Sequence, residues 1–400
     1  MVETGLLNAV LQGLVTGSLI AAGALSLSLL YSIAGVPNFA HGDMITVGAY
    51  LVLLFNAPEA IPFLPDFGSV PLVVAAVLGI AVAGGFGAVY ELAIFRRFRE
   101  RDADLITMVI VSLGLSLILR NVVLFLVGSK NVRYETARVV NTNVDLYLTG
   151  GRLTVRLTQR QAGTLATLGE WGYPLWLLGG FVVAGAAAAA GAYRFHRRET
   201  AYETVYLVPP WVLGVATFAV TAVGLAALVR FAPGDVEASA WSTRIGLSVK
   251  YVVVVALTLL AMFLLNLVLK RTKLGKAMRA TADNMGLAEV RGVDVDRVQL
   301  VVWVIAGLLT ALAGVLTAWF ASNLNPNTGF ELLLPVFAAV ILGGIRSPYG
   351  AVLGSFIIGV SMECGVFLLP PEYAVYRTAI AFVILVVVLM VRPEGIRGDV

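Results

Sequence analysis

The stretch YVVVVALTLLAMFLLNLVL, residues 251–269, contains no charged side chain. A helix needs about 20 predominantly apolar residues to cross the hydrocarbon core of a bilayer, so this stretch alone predicts a membrane span. Around it, apolar residues make up 59% of the 400-residue chain and charged residues 13%, against roughly 45–50% and about 25% in soluble domains. This composition excludes a soluble enzyme, a secreted domain and a disordered scaffold, and it predicts an all-α polytopic membrane protein.

Comparable apolar segments recur along the chain and predict about 9–11 transmembrane helices. The candidates are 5–33, 36–55, 70–92, 105–127, 171–193, 205–229, 249–269, 299–321, 330–346, 350–369 and 376–391. Between them we expect an external loop at 128–170, an added helical hairpin at 171–229 and a cytoplasmic segment at 270–298, all within one transmembrane domain over 1–400.

Two of these segments, 36–55 and 330–346, are interrupted by proline, glycine or polar residues. Broken helix is tolerated in lipid only inside the protein or along a water-filled path, and paired broken helices often mark such a path in transporters. The candidate residues of the path are Asn38, His41, Gly42, Gly343, Gly344 and the intramembrane acid Glu363.

Each polar candidate has a structural alternative. His41 and Asn38 either contact a solute or only cap the break, and Asp43 suits the N-cap of a helix that resumes at Met44. Glu363 either serves the path or makes a hydrogen bond between helices, since an ionised acid in the membrane is costly. Arg120 is close enough to a helix end to extend towards the interface.

Similarly, Glu91 is explained by an ion pair with the neighbouring Arg96 and Arg97. The net charge of +4 reflects arginine-rich loops and predicts no nucleic-acid partner. Loops that would lie inside carry seventeen Lys and Arg against eight outside, which predicts an external N-terminus and a cytoplasmic C-terminus.

The 270–298 segment has a helical apolar stripe, with Met278, Ala282, Met285 and Ala288 at one-turn spacings. Gly292 should end this helix. A short amphipathic helix outside the membrane must bury its stripe against lipid, against its own chain or against a partner. The sequence leaves these three alternatives open.

No motif for chemistry accompanies this segment. A phosphate-binding loop would need glycine where Lys270 stands, and the single cysteine, Cys364, permits neither an internal disulfide nor a cysteine-based metal site. We therefore expect no cofactor or metal in this chain, no catalysis, and an energy source that lies in a partner or an ion gradient.

Several motifs resemble the permease subunit of branched-chain amino acid ABC importers, and their details are most similar to the H-type permease. The matching stretches are GVPNFAHGDMITVGAY (35–50), YELAIFRRFRERD (90–102), SLGLSLILRN (112–121), KRTKLGKAMRATADN (270–284), RGVDVDRV (291–298), LTALAGVL (309–316) and LGGIRSPYGAVLGS (342–355).

The resemblance implies an importer in a prokaryotic cytoplasmic membrane. Its partners would be an M-type permease or a second copy, two ABC ATPase subunits that bind ATP and Mg, and an extracellular substrate-binding protein. It also implies that the ATPases grip a coupling helix, which on this sequence involves Gly275, Lys276, Met278, Ala282, Met285, Ala288 and Gly292.

Two departures from the family pattern are the added hairpin at 171–229 and Arg346, where a small residue is usual. Three other functions remain as alternatives. These are a urea or short-amide ABC permease, an ion-coupled secondary transporter that uses Glu363 and His41 as proton carriers, and a membrane-embedded enzyme, which the lack of clustered acids or nucleophiles disfavours.

Overall fold

The computed structural model describes residues 2–35, 37–62, 68–135, 142–161, 164–199, 221, 241–245 and 248–391. The helices in chain order are α1 (Val2–Ala34), α2 (His41–Asn56), α3 (Leu72–Tyr90), α4 (Arg96–Arg99), α5 (Leu105–Val127), α6 (Leu175–Glu199), α7 (Val249–Arg271), α8 (Lys273–Asp283), α9 (Met285–Val290), α10 (Val295–Ala321), α11 (Thr328–Gly343), α12 (Pro348–Leu368) and α13 (Arg377–Val391). Short 3₁₀ turns lie at Pro58–Ala60 and Pro371–Tyr376, and a π-helical turn, Glu91–Phe95, joins α3 to α4.

The chain divides into two compact units, residues 1–138 with 250–400 and residues 139–249. The expectation of one domain over 1–400 did not distinguish the second unit. Helices occupy ten of the eleven predicted apolar segments, and apart from residue 221 the remaining one, 205–229, lies outside the described residues. Among the described residues, six helices are long and apolar enough to cross a membrane, so the predicted all-α polytopic fold is confirmed for the first unit.

Small residues let the helices of the first unit pack closely. In α1, Gly13 and Gly17 lie against the backbone of α12 near Gly359, and a side chain at any of the three would collide with the facing backbone. Small residues allow such close backbone approach between membrane helices. The buried core next to this contact includes Ile20 of α1 and Ile358 of α12.

Polar caps fix the first turns of two membrane helices. The backbone N–H of Thr107 donates to the Asp104 carboxylate at 3.2 Å, which opens α5, and the Ser347 hydroxyl accepts from the Gly350 N–H at 3.1 Å at the start of α12. Each cap satisfies a backbone donor that the first turn of a helix leaves unpaired.

The two interrupted segments differ from the sequence expectation. The first break lies before α2, which begins at His41 and continues without interruption to Asn56. Pro335 lies inside α11 and does not break it, and the helix ends at Gly343, before Gly344 at φ 101°. Each helix has 16 residues and is therefore about 24 Å long, so the chain turns within the thickness of the bundle.

The second unit contains a four-stranded antiparallel sheet that the sequence analysis did not predict. Its strands are β1 (Thr142–Thr149), β2 (Arg152–Gln161), β3 (Thr164–Pro174) and β4 (Trp241–Ile245), in the order β3-β2-β1-β4. Gly150 and Gly151, both at positive φ, make the two-residue turn that joins β1 to β2, as such hairpins require.

The segment expected as an external loop at 128–170 thus contains β1, β2 and most of β3. The expected hairpin at 171–229 begins with the end of β3 and continues as α6. Its second half lies, except for residue 221, outside the described residues.

Candidate functional site

The 270–298 segment forms two short helices instead of the single helix that its periodicity suggested. Thr272 caps α8 by accepting a hydrogen bond from the Gly275 N–H at 2.9 Å. The side chain of Asn284 accepts from the Leu287 N–H at 2.9 Å, which ends α8 and opens α9. After α9, Gly292 has a φ of 83°, so the prediction that glycine ends the helix there is confirmed.

The apolar stripe of this segment packs against the chain's own core. Met278 is fully buried, Ala288 is 3% exposed, and Ala282 packs against the same cluster. Gly275 lies so close to the Val268 and Leu269 carbonyls that a side chain would collide with them. These residues therefore fix the segment to the bundle and do not form its outer surface.

The outer surface consists of residues on the opposite side of the two helices. Val290 is 86% exposed and Leu287 is 55% exposed, while Lys276 and Arg279 are also exposed. We call residues 270–298 the coupling segment, after the role that the family resemblance implies, and Lys276, Arg279, Leu287 and Val290 its outer face. Sequence reasoning included Lys276 but missed the two apolar members, although their position across from the stripe was a readable signal.

Residues of the predicted path at the start of α2 are buried and hydrogen-bonded. The ring Nε2 of His41 lies 3.0 Å from the Gly23 carbonyl oxygen and 3.1 Å from the Ser26 hydroxyl. The Asn38 side chain accepts from the Ala40 N–H at 3.0 Å. Both therefore hold the turn into α2, which is the structural alternative, and Asn38 also lines a cavity.

Glycines bring the two short helices into direct contact. A side chain on Gly42 would meet the Gly329 carbonyl, and one on Gly329 would meet the Gly42 carbonyl and Thr46. The N–H of Gly329 donates to the Thr46 hydroxyl at 2.9 Å. The predicted path residue Gly343 is similarly packed against Gly350. The two interrupted segments of the sequence, which form α2 and α11, are thus packed against each other.

An intramembrane ion pair that sequence reasoning missed lies beside this contact. The Arg120 Nε donates to Asp43 Oδ1 at 3.0 Å and its Nη2 donates to Oδ2 at 3.3 Å, and Ser116 donates to the same carboxylate. The Arg120 guanidinium also lies 4.0 Å from the ring centroid of Phe330. The cluster ties α2, α5 and α11 together.

This pair corrects two expectations. Asp43 lies in the first turn of α2 and is buried, so it is not the N-cap of a helix starting at Met44; Ala40 occupies the N-cap position. Arg120 contacts Asp43 and does not extend towards the interface. Both roles follow from the contact between Asp43 and Arg120, which a single sequence does not reveal.

Two other acids also have ion-pair partners. Glu363 pairs with Arg377 and accepts from the Thr16 hydroxyl at 2.6 Å, so its helix-to-helix role is observed. Glu91 pairs with Arg99 at 2.6 Å, not with Arg96 or Arg97 as the sequence suggested.

Two cavities lie at opposite ends of α10. The first, of about 380 Å³, lies beside the coupling segment and includes Asn38, Trp303 and Met285 in its lining. The second, of about 320 Å³, is lined by residues that include Thr16, Thr317 and Arg377. Trp303 and Thr317 are fourteen residues apart, or about 21 Å along the helix.

His41 lies between these cavities in depth, because Gly23 and Ser26 follow Thr16 on α1 and precede Leu30, which lines the first cavity. No cluster of three or more His, Cys, Asp or Glu side chains in the described part of the chain could hold a metal ion. The arrangement therefore offers a bundle with a cavity at each end of α10, separated by buried packing around His41.

Comparisons with known proteins identify the family of this chain. The chain matches the family described as "Branched-chain amino acid transport system / permease component" over residues 9–142 and 131–389. It is 24% identical to the high-affinity branched-chain amino acid transport system permease protein LivH of Salmonella typhimurium, over 98% of this chain and 95% of that protein.

Two further relatives carry related names. BraD of Pseudomonas aeruginosa, a high-affinity branched-chain amino acid transport system permease protein, is 25% identical over 98% of this chain and 95% of its own length. The probable permease LivH of Methanocaldococcus jannaschii is 36% identical over 36% of this chain and 46% of its own length. No solved structure matches the chain significantly. The chain therefore belongs to the branched-chain amino acid transport permease family and is a multi-pass membrane component of a transport system.

Proposed function

We propose that this protein forms part of the membrane path of an ATP-binding cassette importer that carries branched-chain or similar apolar amino acids into the cell. The observation that carries the proposal is the family match over nearly the whole chain, residues 9–389. The names of LivH and BraD supply the substrate class, and a bundle with a cavity at each end of α10 is compatible with a conduit.

In this proposal the power stroke comes from partner subunits. Two ATPase subunits, which hold ATP and Mg, bind the outer face of the coupling segment, where Leu287 and Val290 leave apolar surface uncovered. Exposed apolar groups next to basic ones suit a protein interface. An M-type permease or a second copy completes the path, and an extracellular binding protein delivers the solute.

The orientation follows from charge. The coupling segment and the Arg96–Arg99 turn share one face of the bundle, since Asp296 at the start of α10 contacts Arg96 at 3.1 Å and Arg99 at 3.3 Å. We place this basic face in the cytoplasm, and α13, the last of the four crossings α10 to α13 that start from this face, would end there too.

During alternating access, the buried packing that separates the two cavities would move. Closure of the ATPases displaces α8 and α9, which are joined directly to α7 and close to α10 through Met278 and Val298 in one core cluster. The α2–α11 pair, fixed to each other through Gly42 and Gly329, would then shift against α1 around His41 and open the path to one side at a time.

Reconstitution tests the proposal. Proteoliposomes with this chain, the partner permease, both ATPases and the binding protein should accumulate labelled leucine, isoleucine and valine only when ATP and Mg reach the ATPases. Uptake of urea in place of these amino acids would favour the short-amide alternative and contradict the substrate class.

A second experiment tests the alternative of an ion-coupled transporter. His41 and Glu363 contact α1 at Gly23 and Thr16, seven residues or about 10 Å apart along the helix, and each is already hydrogen-bonded within the bundle. We therefore expect no uptake when a pH gradient is imposed without ATPase subunits. Uptake under that condition would refute the importer mechanism.

A further inference from the structure

The cavity beside the coupling segment has a composition that matches a small zwitterion with an apolar side chain. Its wall is mostly apolar, with Leu30, Ala34, Leu105, Met108 and Phe95 among the lining residues. Its volume of about 380 Å³ falls within the range of small-molecule sites, which are largely apolar with a few polar groups that fix orientation.

The polar groups of the cavity include one charge of each sign. In the part of the chain that the structure describes, Arg99 pairs with Glu91 and Asp296 through its Nη2 atom, which leaves donors on the other guanidinium nitrogens for a ligand carboxylate. Among the described residues, the Asp102 carboxylate takes part in no ion pair, and it would accept from a ligand ammonium group. A zwitterion satisfies both, whereas a simple anion or cation satisfies one.

Two local irregularities of the backbone shape this cavity. Asp102 has a φ of 51°, a left-handed conformation that is uncommon for residues other than glycine. The π-helical turn Glu91–Phe95 places Phe95 in the wall, where its ring stacks on Trp303 at 4.4 Å between centroids. Such single π turns occur often at functional sites, and the indole Nε1 of Trp303 is buried with no hydrogen-bond partner among the described residues.

The cavity also includes the coupling segment itself. Met285, the first residue of α9, lines it together with Trp303 of α10 and Met108 of α5. An occupant would therefore touch the segment on which the ATPases act and two membrane helices at once. Any motion of α9 relative to α5 and α10 would have to disrupt these contacts.

We propose that this cavity is a regulatory site for free apolar α-amino acid on the coupling-segment side, and that its occupation slows the ATPase cycle. The inference rests on the proposed import function and adds feedback by the accumulated solute. A ligand that binds only one conformation stabilises it against the other by RT ln(1 + [ligand]/Kd). If only the present arrangement binds, the cycle slows by a factor of 1 + [ligand]/Kd, which is twofold at a concentration equal to Kd.

The test uses the complete transporter in proteoliposomes, with the ATPase subunits facing outwards and the binding protein and leucine enclosed. ATP hydrolysis is measured while leucine is added outside, at the ATPase face. We expect hyperbolic inhibition by leucine. We expect none by 4-methylpentanoate, which lacks the ammonium group, by 3-methylbutylamine, which lacks the carboxylate, or by glycine, which lacks the apolar side chain.

Two variants locate the effect. Asp102→Asn removes the carboxylate without changing side-chain shape, and it should raise the leucine concentration for half-inhibition at least tenfold. Glu100→Gln neutralises an acid two residues away that does not line the cavity, and it should leave the inhibition unchanged. Equal inhibition of the two variants, or no inhibition of the unmodified transporter by leucine, would overturn the proposal.

A separate assay tests the proposed function. It measures ATP-dependent uptake into proteoliposomes that enclose the ATPase subunits and ATP, with the binding protein and labelled amino acid outside. Uptake without feedback would refute only the regulatory site. Loss of uptake of all branched-chain amino acids would instead refute the import function.

Discussion

Removal of the Asp43 charge should destabilise the bundle strongly, because it leaves Arg120 buried without its partner. The carboxylate is 1% exposed and the Arg120 side chain 19% exposed, so solvent screens the pair weakly. Two unit charges about 4 Å apart attract by about 4 kcal/mol at an effective dielectric constant of about 20. Loss of one partner of a buried pair typically costs about 3–5 kcal/mol.

We therefore expect Asp43→Asn to lower the free energy of unfolding by about 3 kcal/mol, in line with that range. The double variant Asp43→Asn/Arg120→Gln removes the unpaired charge, and it should lose less than the single variant, with a coupling energy of about 2 kcal/mol or more. The assay is unfolding of the purified chain in dodecyl maltoside titrated with SDS, followed by circular dichroism.

An exposed pair provides the matched control. The Arg297–Asp294 ion pair has side chains that are 85% and 51% exposed, and exposed pairs contribute about 0–1 kcal/mol. Arg297→Gln should thus change stability by less than about 1 kcal/mol. The reasoning is refuted if Asp43→Asn is no more destabilising than Arg297→Gln. It is also refuted if the double variant loses as much unfolding free energy as Asp43→Asn and Arg120→Gln lose together.

Three further predictions concern assembly, helix packing and pH. Val290→Asp should weaken binding of the ATPase subunits about tenfold or more and reduce uptake, since burial of a valine side chain is worth about 1.5–3 kcal/mol, whereas Val290→Leu should bind normally in a pull-down assay. Gly329→Val should abolish uptake because its side chain would collide with α2, while Gly85→Ala, which faces open space, should transport normally. Hydrogen bonds from the Thr107 side chain and then from its N–H lower the pKa of Asp104 below its usual 3.8. The stabilisation that the Asp104 carboxylate contributes is therefore complete above about pH 4 and is lost as the pH falls through the lowered folded-state pKa. Acid titration of Asp104→Ala should lack this loss of stability, and a pH profile identical to that of the unmodified chain would contradict the cap.

The sequence was sufficient for the fold class and for most helices. Uncharged runs such as 251–269 predict spans on their own, and Gly292 marks the end of α9 because few other residues adopt its left-handed backbone. The sheet of β1–β4 was missed, because its strands mix charged and apolar residues and lie among far more apolar segments. Helix periodicity also concealed the break at Asn284, whose side chain caps a new helix.

The site was harder to predict than the fold, because its contacts join distant parts of the chain. Asp43 meets Arg120 across 77 residues, and Glu363 meets Thr16 across 347, so neither partner is readable from local pattern. The stripe of the coupling segment was correctly identified as apolar, yet it faces the protein's own core. Because Ala288 is buried, Ala288→Arg would disturb folding and would not test the ATPase interface. Val290 is exposed, so a substitution there tests the interface without disturbing the core.

Cysteine cross-linking at the coupling segment tests the central claim most directly. In a Cys364→Ser background, which removes the one native cysteine, Val290→Cys in the assembled transporter should cross-link to an ATPase subunit, with a yield that changes when ATP binds. Glu59→Cys, at an exposed site at the opposite end of α2 from the coupling segment, serves as the control and should not cross-link. A cross-link from Glu59→Cys but none from Val290→Cys would contradict the account that this chain is driven through its coupling segment.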